Sequence, residues 1–178
     1  MIDISDDPEP PANAARLPEL RQGLHIFTDG SYEPGSGHGG WAFVAYRDSA
    51  EIACAFGGAP DSANNSMELF ALLEAATWVN GNVAGETVTI WTDSNQAVKG
   101  CNGWRHIWKT NGWKKITPNT RSRKRTIENA DLWKSIDLQL SSNHLISVAW
   151  CKGHAGIDGN ERADQLADQG RLSVRRGR

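Results

Sequence analysis

Cysteine, long apolar runs and a strong net charge are all scarce in this chain, and each shortage excludes a class of protein. Only three of the 178 residues are cysteines (Cys54, Cys101 and Cys151). They form no C-x-x-C pair and cannot all pair with one another, which argues against a disulfide framework and fits a reducing compartment. No apolar run approaches the ~20 residues that a membrane-spanning helix requires. The opening Met-Ile-Asp-Ile-Ser-Asp-Asp-Pro has neither the basic nor the apolar region of a secretory signal. The expectation is a cytoplasmic protein with no membrane partner, in which the glycosylation sequon Asn64-Asn65-Ser66 is accidental. No internal repeat divides the chain, and its length suits one domain with a substantial core.

A net charge of −2 gives no global sign of a nucleic-acid binder. The distribution of charge is more informative. Residues 1–20 carry five acids against Arg16 alone, so the remainder is net positive. Between positions 104 and 125 there are eight basic residues and no acid: Arg105, Lys109, Lys114, Lys115, Arg121, Arg123, Lys124 and Arg125. Trp104, Trp108 and Trp113, three of the chain's eight tryptophans, stand among them. Trp104 and Trp108 are four apart and share a helix face, a spacing that by itself is more often packing than recognition. A run of one sign with aromatic residues interleaved nevertheless suits a phosphate backbone.

Residues 1–20, rich in Pro, Ala and acid and without periodicity, read as a disordered lead. Strands are expected at about 23–29, 41–46 and 51–56, joined by short connections into an antiparallel meander. A core-facing helix at 67–79 places Leu69, Leu72, Leu73, Ala76 and Val79 on one side. A strand at 87–92 and a short helix from Asn95 follow, with a break at Asn111-Gly112. The chain then reads as a helix at 130–140, a strand at 145–150 and a helix at 161–169 stopped by Gly170, leaving 171–178 as a loose basic tail. A meander followed by alternating helix and strand predicts an α/β fold, a mixed five-stranded sheet with helices packed on it.

Two of the strands run into acids, Asp29 in Phe-Thr-Asp-Gly-Ser and Asp93 in Trp-Thr-Asp-Ser. Either could be a turn acid capping backbone N–H groups. Together at one sheet edge they repel, and a cation between them makes the arrangement tolerable, which points to a hard metal held by oxygen. Glu68 follows an Asn pair in Asn-Asn-Ser-Met-Glu-Leu, where it is either a first-turn acid favoured by the helix dipole or a third ligand. Asp164, in Asn-Glu-Arg-Ala-Asp, is set apart from the similar Asp168 only by that context. His154 lies in Lys-Gly-His-Ala-Gly, a loop setting suited to proton transfer. Cys151 and His154 alone do not make a zinc site. Gly35-Ser36-Gly37-His38-Gly39-Gly40 satisfies G-x-G-x-x-G, but it leads into a strand-like alternation and reads as a hairpin loop, not a dinucleotide site.

These blocks, in this order and over residues 24–170, resemble bacterial type 1 ribonuclease H. The resemblance implies a ribonuclease H-like fold with a basic protrusion at about 104–125, and cleavage of the RNA strand of an RNA–DNA hybrid with 5′-phosphate and 3′-hydroxyl products. It implies two Mg2+ ions, replaceable by Mn2+, with Asp29 bridging both, Glu68 and Asp93 on one and Asp164 on the other. It assigns His154 to turnover, Asn64, Asn65 and Asn95 to the minor groove, and Trp104, Trp108, Lys109, Lys114 and Lys115 to grip of the DNA strand. A monomer is expected. Three positions depart from the family pattern: Ala63 where Thr is usual, Ser66 where Arg is usual, and Gly35 in place of the Asn of Asn-Pro-Gly. A reverse-transcriptase ribonuclease H domain and a non-catalytic hybrid-binding protein are the alternatives; the presence of all four acids argues against the second.

Overall fold

In the computed structural model, residues 22–60, 62–118 and 125–176 are described. The acidic lead and the basic positions Arg121, Arg123 and Lys124 lie outside them. The described residues form a sheet of five strands, β1 (Leu24–Glu33), β2 (His38–Arg47), β3 (Ala50–Ala59), β4 (Val88–Thr92) and β5 (Ile146–Trp150), in the spatial order β3-β2-β1-β4-β5. The first three strands are the antiparallel meander that the short connections require, while β1–β4 and β4–β5 are parallel. The Gly-rich segment is the β1–β2 hairpin turn, with the Ser36 and Gly37 amides bonded to the Glu33 carbonyl.

Among the described residues five α-helices accompany the sheet: α1 (Asn64–Asn82), α2 (Asn95–Lys99), α3 (Arg105–Thr110), α4 (Ala130–Ser142) and α5 (Asp158–Arg176). The larger core joins β1, β4 and β5 to α1 and α4 through Ile26, Ile90, Val148, Leu72, Val79, Trp133 and Ile136, all buried. A second cluster on the other face joins Phe27, Ala42 and Val44 to Ala163, Leu166 and Ala167 of α5. Trp133 is 1% exposed and is the largest fully buried side chain among the described residues. Truncating it to Ala would cost about 3–5 kcal/mol. Cys101 and Cys151 are buried and Cys54 exposed, all as free thiols, and burial pushes the two buried thiols up to about 12.

Several boundaries differ from the sequence expectation. Asp29 does not end its strand: β1 runs on to Glu33 because its pairing with β2 continues past the point where the partnership with β4 stops at Thr28–Thr92. Helix α1 begins three residues early, at Asn64. The helix from Asn95 is not short, since a π-helical turn at Gly100–Trp104 joins α2 to α3 without a break. A Cβ on Gly100 would collide with the Trp133 ring, so this turn can press against the core only with glycine there. The expected break does fall at Asn111-Gly112, where Gly112 and Trp113 both take positive φ.

Gly170 does not stop the last helix, and residues 171–176 are not a loose tail but the final turns of α5. The Gly170 backbone lies directly on Gly57 of β3, and any side chain there would strike the Gly57 carbonyl. In this case glycine serves close packing rather than termination.

Candidate active site

Because β1 and β4 are parallel and in register through Thr28–Thr92, Asp29 and Asp93 emerge at the same end of the sheet. Glu68, in the second turn of α1, is carried in over β1. A Cβ on Gly30 would lie 2.5 Å from the Glu68 amide nitrogen, and one on Gly153 would strike the Asp93 carboxylate. These two glycines let the backbone approach the acids closely. Oxygens of Asp29, Glu68 and Asp93 all lie within 4.8 Å of one another. That is near the ~4 Å separating opposite oxygens on one octahedral magnesium.

The electrostatics are those of a cation site. Asp29 is 5% and Glu68 8% exposed. Burial, then the Asp93 and Asp164 charges, push the Asp29 carboxyl up to about 8, against a partial offset from the Gly30 amide, 2.7 Å away. Glu68 is raised well above the usual carboxylate range by burial and by repulsion from Asp29 and Asp93. Its Oε2 is buried without a hydrogen-bond partner. Asp93 is raised mainly by burial, the nearby His154 partly offsetting this. Three mutually repelling carboxylates, one with an unpartnered buried oxygen, are stabilised when a divalent ion replaces protons, so the residues present fit a metal.

Asp164 stands outside this tight trio. It projects from the second turn of α5, 39% of its side chain exposed, and its Oδ2 lies 3.9 Å from Nδ1 of His154. His154 is itself 78% exposed in side chain and takes positive φ in its loop. The fourth acid and the histidine therefore face each other across the open side of the cluster.

Of the residues assigned to substrate, Asn64 and Asn65 open α1 and Asn95 opens α2, with Asn64 and Asn95 exposed and Asn65 half-buried. Trp104 and Trp108 are half-buried with ring centroids 5.7 Å apart, and Trp108 packs edge-on against Trp133 at 5.4 Å. Lys109 is half-exposed but bonds Asp137 of α4 at 2.7 Å, while Arg105 bonds the other Asp137 oxygen at 2.5 Å. Lys114 and Lys115 are exposed. Their loop is closed at its base by the Lys114–Thr126 bridge and by the Lys115 amide on the Arg125 carbonyl at 2.7 Å.

Sequence reasoning missed Gly30, Gly153 and Asn160. Asn160 is 2% exposed, favours the charged form of Asp93, yet its Nδ2 completes no hydrogen bond. Its place one turn before Asp164 in Asn-Glu-Arg-Ala-Asp was the available signal. Trp150 was also missed; its Nε1 donates to the Asp93 carbonyl at 3.1 Å and ties β5 to the site.

Residues 21–171 match the family model described as RNase H. The chain is 39% identical over 151 residues to Ribonuclease HI of Neisseria meningitidis, covering 85% of this chain and 97% of that protein. It is 38% identical over 155 residues to Ribonuclease H of Cupriavidus necator, covering 87% and 99% respectively. Among solved structures, LC9-RNase H1, a type 1 RNase H with the type 2 active-site motif, superposes with a TM-score of 0.67 at 24% identity over 85% of this chain and 74% of that one. The foamy viral protease-reverse transcriptase in complex with RNA/DNA hybrid superposes with a TM-score of 0.74 at 22% identity over 98% of this chain and 24% of that one. The two structural likenesses establish the fold, and the match along residues 21–171 together with relatives aligned over nearly their whole length establishes more: the chain belongs to the RNase H family of hydrolytic nucleases.

Proposed function

We propose that this enzyme hydrolyses the RNA strand of RNA–DNA hybrids with two magnesium ions, leaving 5′-phosphate and 3′-hydroxyl ends. The observation that carries the reading is the trio of Asp29, Glu68 and Asp93, close together, the first two buried and the third half-buried, with Glu68 Oε2 lacking a hydrogen-bond partner. Asp29, Glu68 and Asp93 would hold one ion and Asp29 with Asp164 the other, Mn2+ being an acceptable substitute. Such a pair supplies an activated water and stabilisation of the leaving oxygen.

The chain's own residues do the rest. Burial raises Asp29 and Glu68 so that they favour protons until a divalent ion displaces them, which makes the site selective for a cation. His154, exposed and beside Asp164, is placed to accept and release a proton at Nδ1 as product leaves. The amides of Asn64, Asn65 and Asn95 both donate and accept, as recognition of a 2′-hydroxyl requires. Lys114 and Lys115, exposed on the protrusion, hold phosphates of the DNA strand, with Trp104, Trp108 and Lys109 forming its base. The same reading takes residues 21–170 as the catalytic domain, working as a cytoplasmic monomer; among the described residues no helix is long and apolar enough to cross a membrane.

The test offers end-labelled hybrid, duplex DNA and duplex RNA in parallel with magnesium and analyses the ends produced. Cleavage confined to the RNA of the hybrid, with 3′-hydroxyl ends, is the expected result. Cleavage of duplex DNA, or 3′-phosphate ends, would overturn the assignment.

A further inference from the structure

A fifth acid, Asp168, lies one turn beyond Asp164 on α5, and its charge reaches the cluster, contributing to the rise of Asp29. Its bonding sets it apart from the trio. Ser31 Oγ donates to Asp168 Oδ1 at 2.5 Å, and Arg171 donates to that same oxygen from Nη2 at 3.0 Å and from Nε at 3.3 Å. Arg171 Nε also donates to Ser31 Oγ at 2.9 Å, which closes a three-membered ring. These donors hold the Asp168 carboxyl below the usual carboxylate range, so its charge is already compensated within the protein.

The ring's position gives it a consequence. Ser31 is two residues beyond Asp29, on the same face of β1 by strand alternation. Asp168 is four beyond Asp164, on the same face of α5. The Ser31–Asp168 bond therefore spans the strand and helix that present Asp29 and Asp164, one step from each. Arg171 extends the tie to Glu33 at the end of β1, at 3.8 Å, where Ser36 of the hairpin turn donates to the other Glu33 oxygen at 2.6 Å. Asp164 lies outside the tight trio, so its distance from Asp29 depends on how α5 is seated on β1. The flush packing of Gly170 on Gly57 and the apolar cluster of Phe27, Ala42, Val44 and Leu166 fix the depth of α5, but such non-directional contacts do not by themselves fix its fine register along the sheet. A directional hydrogen bond does.

We propose that Ser31, Asp168 and Arg171 form a positioning brace that sets the separation of Asp29 and Asp164, and thereby the affinity for the metal they share. This rests on the reading of those two acids as ligands. None of the three brace residues is a ligand in this proposal; they act through α5.

The experiment measures Mn2+ affinity of the free full-length protein by calorimetry, magnesium at half-maximal single-turnover cleavage, and melting temperature. The variants are Ser31→Ala, Ser31→Thr, Asp164→Ala and the double variant Ser31→Ala/Asp164→Ala. Ser31→Ala should weaken Mn2+ binding about tenfold, the lower end of what loss of a ligand's outer support costs, and raise the magnesium requirement in parallel. Ser31→Thr, which keeps the hydroxyl, should restore both. In the Asp164→Ala background Ser31→Ala should have no further effect on Mn2+ affinity, because coupled residues are not additive. A drop in melting temperature with Mn2+ affinity held within twofold would reduce the ring to ordinary structure and overturn the proposal, as would full additivity in the double variant. If Ser31→Ala does not fold, Asp168→Asn, which keeps shape and loses charge, carries the same comparison. If Asp164→Ala leaves Mn2+ affinity unchanged, the ligand reading itself has failed, a result distinct from failure of the brace alone.

Discussion

Asp137 should be worth more to this protein than its distance from the active site suggests. Its side chain is 6% exposed and bonds two cations, Arg105 at 2.5 Å and Lys109 at 2.7 Å, with Ser141 adding a bond at 3.3 Å. The Lys109 arm is 55% exposed and contributes little. The Arg105 arm is different: its side chain is 11% exposed, so removing Asp137 leaves a charge that water reaches poorly and that keeps only the neutral Cys101 carbonyl and Ser141 hydroxyl as partners. Breaking such a pair on one side costs about 3–5 kcal/mol. For a domain of this size that corresponds to roughly 10 °C of melting temperature. Asp137→Ala, followed by urea and thermal melts, should show that loss, and hybrid binding should weaken too because Arg105 anchors the helix entering the protrusion. Asp137→Leu with Arg105→Met should recover most of the stability, since an apolar pair of similar volume is often as good. The pH dependence has a definite sign. Burial alone would raise Asp137, but its bonds to Lys109 and Arg105 outweigh that and lower it. Its contribution is therefore present above the unfolded value near ~3.9 and lost as pH falls through the lower folded one. A loss below ~1 kcal/mol in Asp137→Ala would refute the reasoning, because Arg105 would then have another way to be satisfied.

Asp93→Asn should reduce single-turnover cleavage at least about a hundredfold, which is ~3 kcal/mol, while circular dichroism and hybrid binding stay near wild type; substantial cleavage would remove Asp93 from the ligand set. His154→Ala should leave a slower but active enzyme, since the principal stabilisation is electrostatic, and complete loss of turnover would give the histidine a larger role. Without metal, Asp29 and Glu68 are raised in the folded state, so stability is fully present below their unfolded values near ~4 and falls as pH rises toward about 8, with magnesium restoring it; a flat melting-temperature profile in chelator would contradict the electrostatics of the trio. Ala63, the N-cap of α1, has no side chain to cap the helix although Ser66 already bonds its N–H at 3.1 Å. Ala63→Thr should therefore stabilise the protein by about 1 kcal/mol in urea melts and tighten hybrid binding several-fold in titrations, and no gain in either would mean that the hydroxyl finds no partner.

Local pattern made much of this fold readable in advance. Two apolar runs ending near acids, an amphipathic helix after an Asn pair and an alternating second half were enough to predict a mixed sheet with Asp29 and Asp93 at one edge. The features that escaped depend on partners distant in sequence. Positions 104–125 contain no acid, yet Asp137 enters from α4 to neutralise Arg105 and Lys109, so the free cationic charge is smaller than the linear count. Gly170 has the look of a helix stop, but its role is set by Gly57, more than a hundred positions earlier. The π-helical turn likewise answers to Trp133 pressing on Gly100.

The same distinction explains why the four acids are not equivalent in the structure. Asp29 and Asp93 are placed by sheet register, which the backbone ladder specifies tightly. Glu68 is placed by a helix resting on Gly30, a contact without slack, because any side chain there would meet the α1 backbone. Asp164 alone stands on the exposed side of the site, on a helix that meets the sheet through glycines and alanines as well as through Leu166. Small residues interlock less than large ones, so they resist a slide of the helix less. Directional bonds must then supply what interlocking does elsewhere, and the Ser31, Asp168 and Arg171 ring lies where that requirement is greatest. The acid with the least support from the packed core is thus the one beside the most tightly bonded polar cluster of α5, and the proposed metal site would draw its geometry from both.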